Sequence, residues 1–346
     1  MVGYDAIIIG TGQAGPALAR RIAGLGMQVA VIERGRFGGT CVNTGCTPTK
    51  TLVASAYAAH VARRGADYGF SAGEVEVDMK RVKARKDHVV GLSNRGVERS
   101  LKTLDNCRVY EAHAQFLSPR EVQAGGEVLT SDRIFINVGA RAAVPDISGL
   151  EQVDYLTNSS MMDVDFVPRH LLVLGGSYVG LEFGQMYRRF GGEVTIVELG
   201  PRLLSREDED VSAAIAEILA REDVSVRLNA KCLHVGKQGD DIVMTVDCDG
   251  TSELRGSHLL IATGRRPNTD DLGLDRAGVT RDERGYIVVD DELRTSTPGI
   301  WALGDCNGKG AFTHTSWNDY EIVAGNLFDG EGRRVSDRIP AYALYI

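Results

Sequence analysis

Ala6-Ile7-Ile8-Ile9-Gly10-Thr11-Gly12-Gln13-Ala14-Gly15 is an apolar strand running directly into a Gly-x-Gly-x-x-Gly turn. A helix over Ala17–Leu25 follows, Gly26 stops it, and Gln28–Ile32 reads as a second strand ending in Glu33. Such a βαβ unit binds a dinucleotide: Gly10, Gly12 and Gly15 let the turn close, and the pyrophosphate approaches the amides at the helix start. Glu33, 23 positions after Gly10, can accept hydrogen bonds from ribose hydroxyls. The unit recurs. Leu171–Leu174 is a strand, Gly175-x-Ser177-x-x-Gly180 the turn, Leu181–Phe190 the helix, and Val194–Val197 a strand ending in Glu198, again 23 positions after the first glycine. Ser177 replaces the middle glycine, and its Cβ is expected to narrow the approach to the pyrophosphate. Glu198 favours a free 2′-hydroxyl and therefore NADH, while Arg202 and Arg206 keep NADPH open. Two sites in equal register suggest two dinucleotides exchanging electrons.

Outward from these units, the whole chain bounds the reading. Its 346 residues suffice for two or three domains. The net charge of −8, with no basic cluster beyond short Arg pairs and the run Lys80–Lys86, argues against nucleic acid. No apolar run reaches membrane-spanning length and no basic leader precedes the first strand, so the expectation is a cytoplasmic protein with no membrane partner. Glycine supplies 41 residues, well above the average share of about 7 %, and signals many tight turns. Cys107, Cys232, Cys248 and Cys306 read as incidental thiols, and no His/Cys spacing suits a metal. The run Lys80–Lys86 reads as a solvated helix face. Ile134–Gly139 and His258–Gly264 are apolar strands closing on glycine, as a chain does when it leaves a sheet beside a ligand. Ile287–Val289 and Ile300–Leu303 read as further strands, the latter ending in Gly304-Asp305. Asp305 is either a helix-start residue or a carboxylate for a polyol hydroxyl.

Between the units lies Gly38-Gly39-Thr40-Cys41-Val42-Asn43-Thr44-Gly45-Cys46-Thr47-Pro48-Thr49-Lys50. An ideal helix would separate Cys41 and Cys46 by roughly 7.5 Å along its axis, beyond the usual disulfide span of about 4.4–6.8 Å. A linked pair therefore needs a bent backbone, which Gly45 can supply. Pro48 suits the first turn of a helix starting near Thr47, whose positive end, with Lys50 one turn on, favours a thiolate at Cys46. By spacing alone the cysteines are either a redox dithiol or two unrelated core thiols.

In this order the motifs resemble the flavin-dependent pyridine nucleotide–disulfide oxidoreductases, in the branch of dihydrolipoamide dehydrogenase, glutathione reductase and mercuric reductase. The resemblance spans both glycine turns, the Cys41–Cys46 segment, Glu182, Ala262-Thr263-Gly264 and Gly304-Asp305. It implies an α/β fold of two Rossmann-like dinucleotide-binding domains, the second inserted into the first. The FAD-binding domain would take residues 1–149 and 281–335, the NAD(P)-binding domain 150–280, and 336–346 would begin a dimerisation domain otherwise missing. FAD would be held by Gly10, Gly12, Gly15, Glu33, Gly39, Thr40, Gly139 and Asp305. NAD, with NADP as the variant, would be held by Gly175, Ser177, Gly180, Glu198 and Gly264. Lys50 would pair with Glu182, which by sequence alone could instead be a helix-dipole acid. Electrons would pass from NADH to FAD and on to a Cys41–Cys46 disulfide, for a small-molecule disulfide or metal-ion substrate, with a homodimeric parent protein. The family's acid–base histidine has no match, and His314 reads as a flavin-neighbouring or helix-start residue. The apolar end Ile339–Ile346 reads as strand-like and the chain as truncated. Two other readings are a non-catalytic dinucleotide-binding remnant and a flavin NADH oxidase.

Overall fold

The structure, a computed structural model, describes residues 1–247 and 250–346; Cys248 lies outside the described residues. Helices are α1 (Ala14–Gly24), α2 (Gly39–Asn43), α3 (Cys46–Arg63), α4 (Met79–Lys102), α5 (Tyr178–Phe190), α6 (Glu209–Arg221) and α7 (Thr313–Ala324). The chain divides into two compact units, the first comprising Met1–Asn43, Val90–Arg141 and Arg265–Tyr342, the second Thr44–Val89, Ala142–Gly264 and Ala343–Ile346.

The first unit is built on a five-stranded parallel sheet in the order Ile300–Ala302, Ile134–Ile136, Ala6–Ile9, Val29–Glu33, Cys107–Glu111. Ala6–Ile9 is central, and all four of its residues are buried. A strand covered on both faces has no polar side to show, which is why the sequence is an unbroken apolar run rather than an alternation. Ile9 pairs with Ile32 on one side and Ile136 on the other, so the chain turns at Gly10 between two strand ends. Helix α7 packs alongside α1. A second sheet joins Val2–Gly3, Glu127–Thr130, Glu121–Ala124 and Ala114–Ser118.

The second unit repeats the plan. Its parallel sheet has the order Tyr155–Leu156, His258–Ile261, His170–Leu174, Glu193–Val197, Ser225–Arg227, with a three-stranded antiparallel sheet from Lys231 to Gly256. Gly191, at φ 115°, ends α5 in the left-handed conformation that glycine adopts without a steric penalty. Helix α3 packs against α5, with Leu52 and Ala56 in the core beside Leu181 and Phe183.

Three local expectations are corrected. Lys86 is not on a solvated face: it is buried, and its Nζ donates to the Met162 carbonyl at 2.6 Å. Ile287–Val289 is not a strand but a stretch held by isolated bridges of Ile287 to Arg281 and Val289 to Thr295. Residues 338–346 have no regular structure; the Tyr342 ring stacks on Phe312 instead of extending an edge.

Candidate active site

In the first unit Gly10 has φ +103°, and a Cβ there would overlap the Asn137 carbonyl; a Cβ on Gly15 would overlap the Gly10 carbonyl. Glycine is required because the turn is threaded between these two carbonyls. Glu33 closes the turn from the next strand: one oxygen accepts from Thr11 N (2.9 Å) and Thr11 Oγ1 (2.6 Å), the other from Gly35 N (2.8 Å). The segment leading to Cys41 lies directly on this turn. Gly38 N donates to Thr11 Oγ1 at 3.1 Å, and a Cβ on Gly39 would come within 2.9 Å of the Gly12 Cα. Thr40 follows, half-buried in α2. Gly139 leaves its strand at φ +65°. Asp305 sits in the 3-10 turn Gly304–Asn307. Burial pushes its carboxyl above the ordinary carboxylate range, opposed by the Arg265 guanidinium at 3.4 Å.

The second unit builds the same turn from Gly175 (φ +118°), where a Cβ would overlap the Ala262 carbonyl, and Gly180, where one would overlap the Gly175 carbonyl. Glu198 accepts from Gly176 N at 2.6 Å and Gly200 N at 2.7 Å, the counterparts of the two amide bonds of Glu33; the Thr11 hydroxyl bond has no counterpart, because Gly176 has no side chain. Ser177 is exposed and extended (φ −112°) as the N-cap of α5. The first turn explains why a side chain is allowed at this position. A Cβ on Gly12 would lie 2.9 Å from the Asn137 carboxamide oxygen, whereas the corresponding Ala262 carries no carboxamide. Gly264 has φ +145° and open space at its Cβ position. Arg202 is engaged, donating to the Ser205 and Glu207 carbonyls (both 3.2 Å) and pairing with Glu209 at 3.0 Å. Arg206 is exposed.

Cys41 is half-buried on α2, in the first unit, and Cys46 is the exposed first residue of α3, in the second. The two helices are separated by Thr44 and Gly45. Asn43 anchors α2 by donating to the Phe37 (2.8 Å) and Gly39 (2.9 Å) carbonyls. One turn beyond Cys46, Lys50 Nζ lies 2.7 Å from both carboxylate oxygens of Glu182, which is 7 % exposed. Two packed helices, α3 and α5, thus meet in an ion pair. Sequence reasoning missed what covers it: the Tyr345 ring lies 4.6 Å from Lys50 Nζ, and the Tyr345 amide donates to Glu182 at 3.3 Å. It also missed Asn137, a polar residue at the end of an apolar strand, which was the available signal. His314 is exposed at the start of α7 and stacks on Phe312. Burial raises the other described thiols, Cys107 and Cys232 to about 11 and Cys306 to about 12. Among the described residues no cluster of His, Cys, Asp and Glu could hold a metal ion, and no helix is long and apolar enough to cross a membrane.

Comparison with known proteins agrees with this geometry. The family model for pyridine nucleotide-disulphide oxidoreductases matches residues 4–319. The mercuric reductase of Streptomyces lividans is 38 % identical over 338 residues, covering 96 % of this chain and 71 % of that protein. The dihydrolipoyl dehydrogenase of Thermus scotoductus is 34 % identical, over 93 % of this chain and 70 % of its own length. The Cu(II) complex of the HOCl-induced flavoprotein disulfide reductase RclA from Escherichia coli superposes with a TM-score of 0.89 at 36 % identity, over 98 % of this chain and 74 % of that one. This chain therefore belongs to the pyridine nucleotide-disulphide oxidoreductase family and is an FAD-dependent enzyme of that class.

Proposed function

We propose that the chain is an NADH-preferring reductase in which Cys41 and Cys46 form the redox dithiol and reduce a small disulfide or a thiophilic metal ion. The observation that carries this reading is the placement of Lys50, held by Glu182, one helical turn past Cys46. Cys46 opens α3, where the partial positive charge of the helix end favours an anion. Removing Lys50 would leave the buried Glu182 carboxylate without its cation.

The residues present fit FAD in the first unit. Gly10, Gly12 and Gly15 close the turn tightly against Asn137, the form that brings a pyrophosphate to the amides at a helix start; Glu33 stands ready for a ribose, and the half-buried carboxyl of Asp305 suits a polyol hydroxyl. When bound, FAD supplies two-electron transfer between a pyridine nucleotide and a dithiol. The second unit fits the pyridine nucleotide through Gly175, Gly180 and Glu198. Opening the Cys41–Cys46 disulfide to the dithiol takes two electrons and two protons, one proton for each sulfur. The acceptor class is supported by the names of the relatives, mercuric reductase and disulfide reductase.

Anaerobic NADH should bleach the flavin of the purified protein, and turnover should follow with a small disulfide or a mercuric salt as acceptor. A protein that binds no flavin, or reduces neither acceptor, would overturn the proposal. The coenzyme preference is a separate prediction. With Glu198 at the ribose position and Arg202 occupied by Ser205, Glu207 and Glu209, a 2′-phosphate would meet a carboxylate. KM for NADPH should exceed KM for NADH by at least about tenfold, corresponding to about 1.4 kcal/mol. Equal KM values would show that Arg206 or a freed Arg202 takes the phosphate.

A further inference from the structure

The two units provide an internal control, because the backbone hydrogen bonds that hold their central turns correspond. Gly10 N donates to the Ile32 carbonyl and Gly175 N to that of Val197, both at 2.8 Å; Asn137 N donates to Ile9 and Ala262 N to Leu174, again both at 2.8 Å. At the residue facing the turn, one unit carries a carboxamide and the other a methyl group.

The Asn137 carboxamide is 5 % exposed and uses both ends. Its Oδ1 accepts the Gly15 amide at 3.1 Å, at the start of α1. Its Nδ2 donates to the Leu303 carbonyl at 2.9 Å. The peptide beginning with that carbonyl ends in the amide of Gly304, which donates to Asp319 Oδ2 at 2.7 Å. One peptide unit is thus clamped at its C=O by Asn137 and at its N–H by Asp319, and the next residue is Asp305. Asp319 is itself buried; it accepts from Asn307 Nδ2 at 2.9 Å and pairs with Arg338. A Cβ on Gly304 would come within 3.0 Å of the Asn137 amide nitrogen, which leaves the peptide little room to rotate.

We infer that Asn137 is a positioning residue that fixes the distance between the glycine turn and Asp305, so that both contact a single dinucleotide at once and the first site binds it more tightly. The inference rests on the assignment of FAD to the first unit. The physical basis is preorganisation: a ligand that must touch two loops binds more weakly when it has to fix their separation itself. Asp319 serves the same end by holding the other side of the Leu303–Gly304 peptide.

The test is FAD titration of the apoprotein, followed by flavin fluorescence, alongside NADH titration of the holoprotein. Asn137→Ala, which copies Ala262 into the first unit, should raise the FAD Kd at least about tenfold and leave the NADH Kd within about twofold. Asp319→Asn should weaken FAD in the same direction, and it supplies the test if Asn137→Ala does not fold. Because Asn137 acts through Asp305, the double variant Asn137→Ala/Asp305→Ala should bind FAD no more weakly than Asp305→Ala alone; a general packing defect would instead add its full effect. An unchanged FAD Kd in both Asn137→Ala and Asp319→Asn, an equal loss of FAD and NADH binding, or full additivity with Asp305→Ala would overturn the inference. A wild-type chain that does not bind FAD would overturn the cofactor assignment instead, a separate outcome from tight wild-type binding that the variants leave unaltered.

Discussion

Cys46→Ser should reduce NADH-driven turnover of disulfide substrates by at least about a thousandfold while the flavin remains bound. Serine occupies nearly the same volume at the first position of α3, so the helix and the Lys50–Glu182 pair one turn later should persist. A hydroxyl, however, can neither form a disulfide nor supply a thiolate, and the thiolate is the species that reacts. Among the described thiols outside the Cys41–Cys46 pair none is a ready substitute: burial holds Cys107 and Cys232 up at about 11 and Cys306 at about 12, so at neutral pH they remain protonated. Rapid-mixing spectroscopy separates the two halves of the reaction. Flavin bleaching by NADH should survive in the variant, and the long-wavelength thiolate–flavin band should be missing. If turnover stays within tenfold of wild type, electrons leave the flavin directly for the acceptor, as in an oxidase.

The second large effect is expected at Gly180. A Cβ there would overlap the Gly175 carbonyl and lie 3.2 Å from a Val173 methyl. The carbonyl belongs to the turn and the methyl to the central strand, so relief requires α5 to lift off the sheet. Gly180→Ala should cost about 1–3 kcal/mol of stability, the usual range for overpacking. It should also weaken NADH binding by more than about tenfold and, because Glu182 lies two residues further along α5, disturb the pair with Lys50. Ser177→Gly is the matched control. Ser177 is exposed, and its removal should leave the NADH Kd within about twofold. Thermal unfolding and NADH titration read both variants; equal behaviour would show that the turn tolerates a methyl group and has room to relax.

Both βαβ units were legible because their signals are local. Glycines at fixed offsets, an unbroken apolar strand and an acid 23 positions on all follow from backbone geometry within some thirty residues. Why a side chain fits at Ser177 was not legible, because the sequence does not show the residue opposite it; that residue, Ala262, is some eighty positions away. Asn137 reaches Gly15 and Leu303, 122 and 166 positions distant, and local reading showed it only as a polar interruption before a glycine. Lys86 was misplaced for the same reason: in sequence it ends a basic run, but besides Asp87 its partner is the carbonyl of Met162, 76 positions away. The Lys50–Glu182 pair, 132 positions apart, was reached through family resemblance rather than periodicity. Tyr345 was not anticipated, because an apolar segment reads as a strand until the ring is seen to lie over Lys50.

Glu33 and Glu198 each hold the amide of a glycine turn and a second amide two residues downstream. Their side chains are therefore held before any nucleotide arrives, and in the proposed sites an incoming ribose would meet a carboxylate that has already lost its rotamer freedom. Encounter at such sites needs no rearrangement of the acid, so association should proceed at the rate of docking onto a rigid surface. Substitutions around either carboxylate should then change residence time more than association rate.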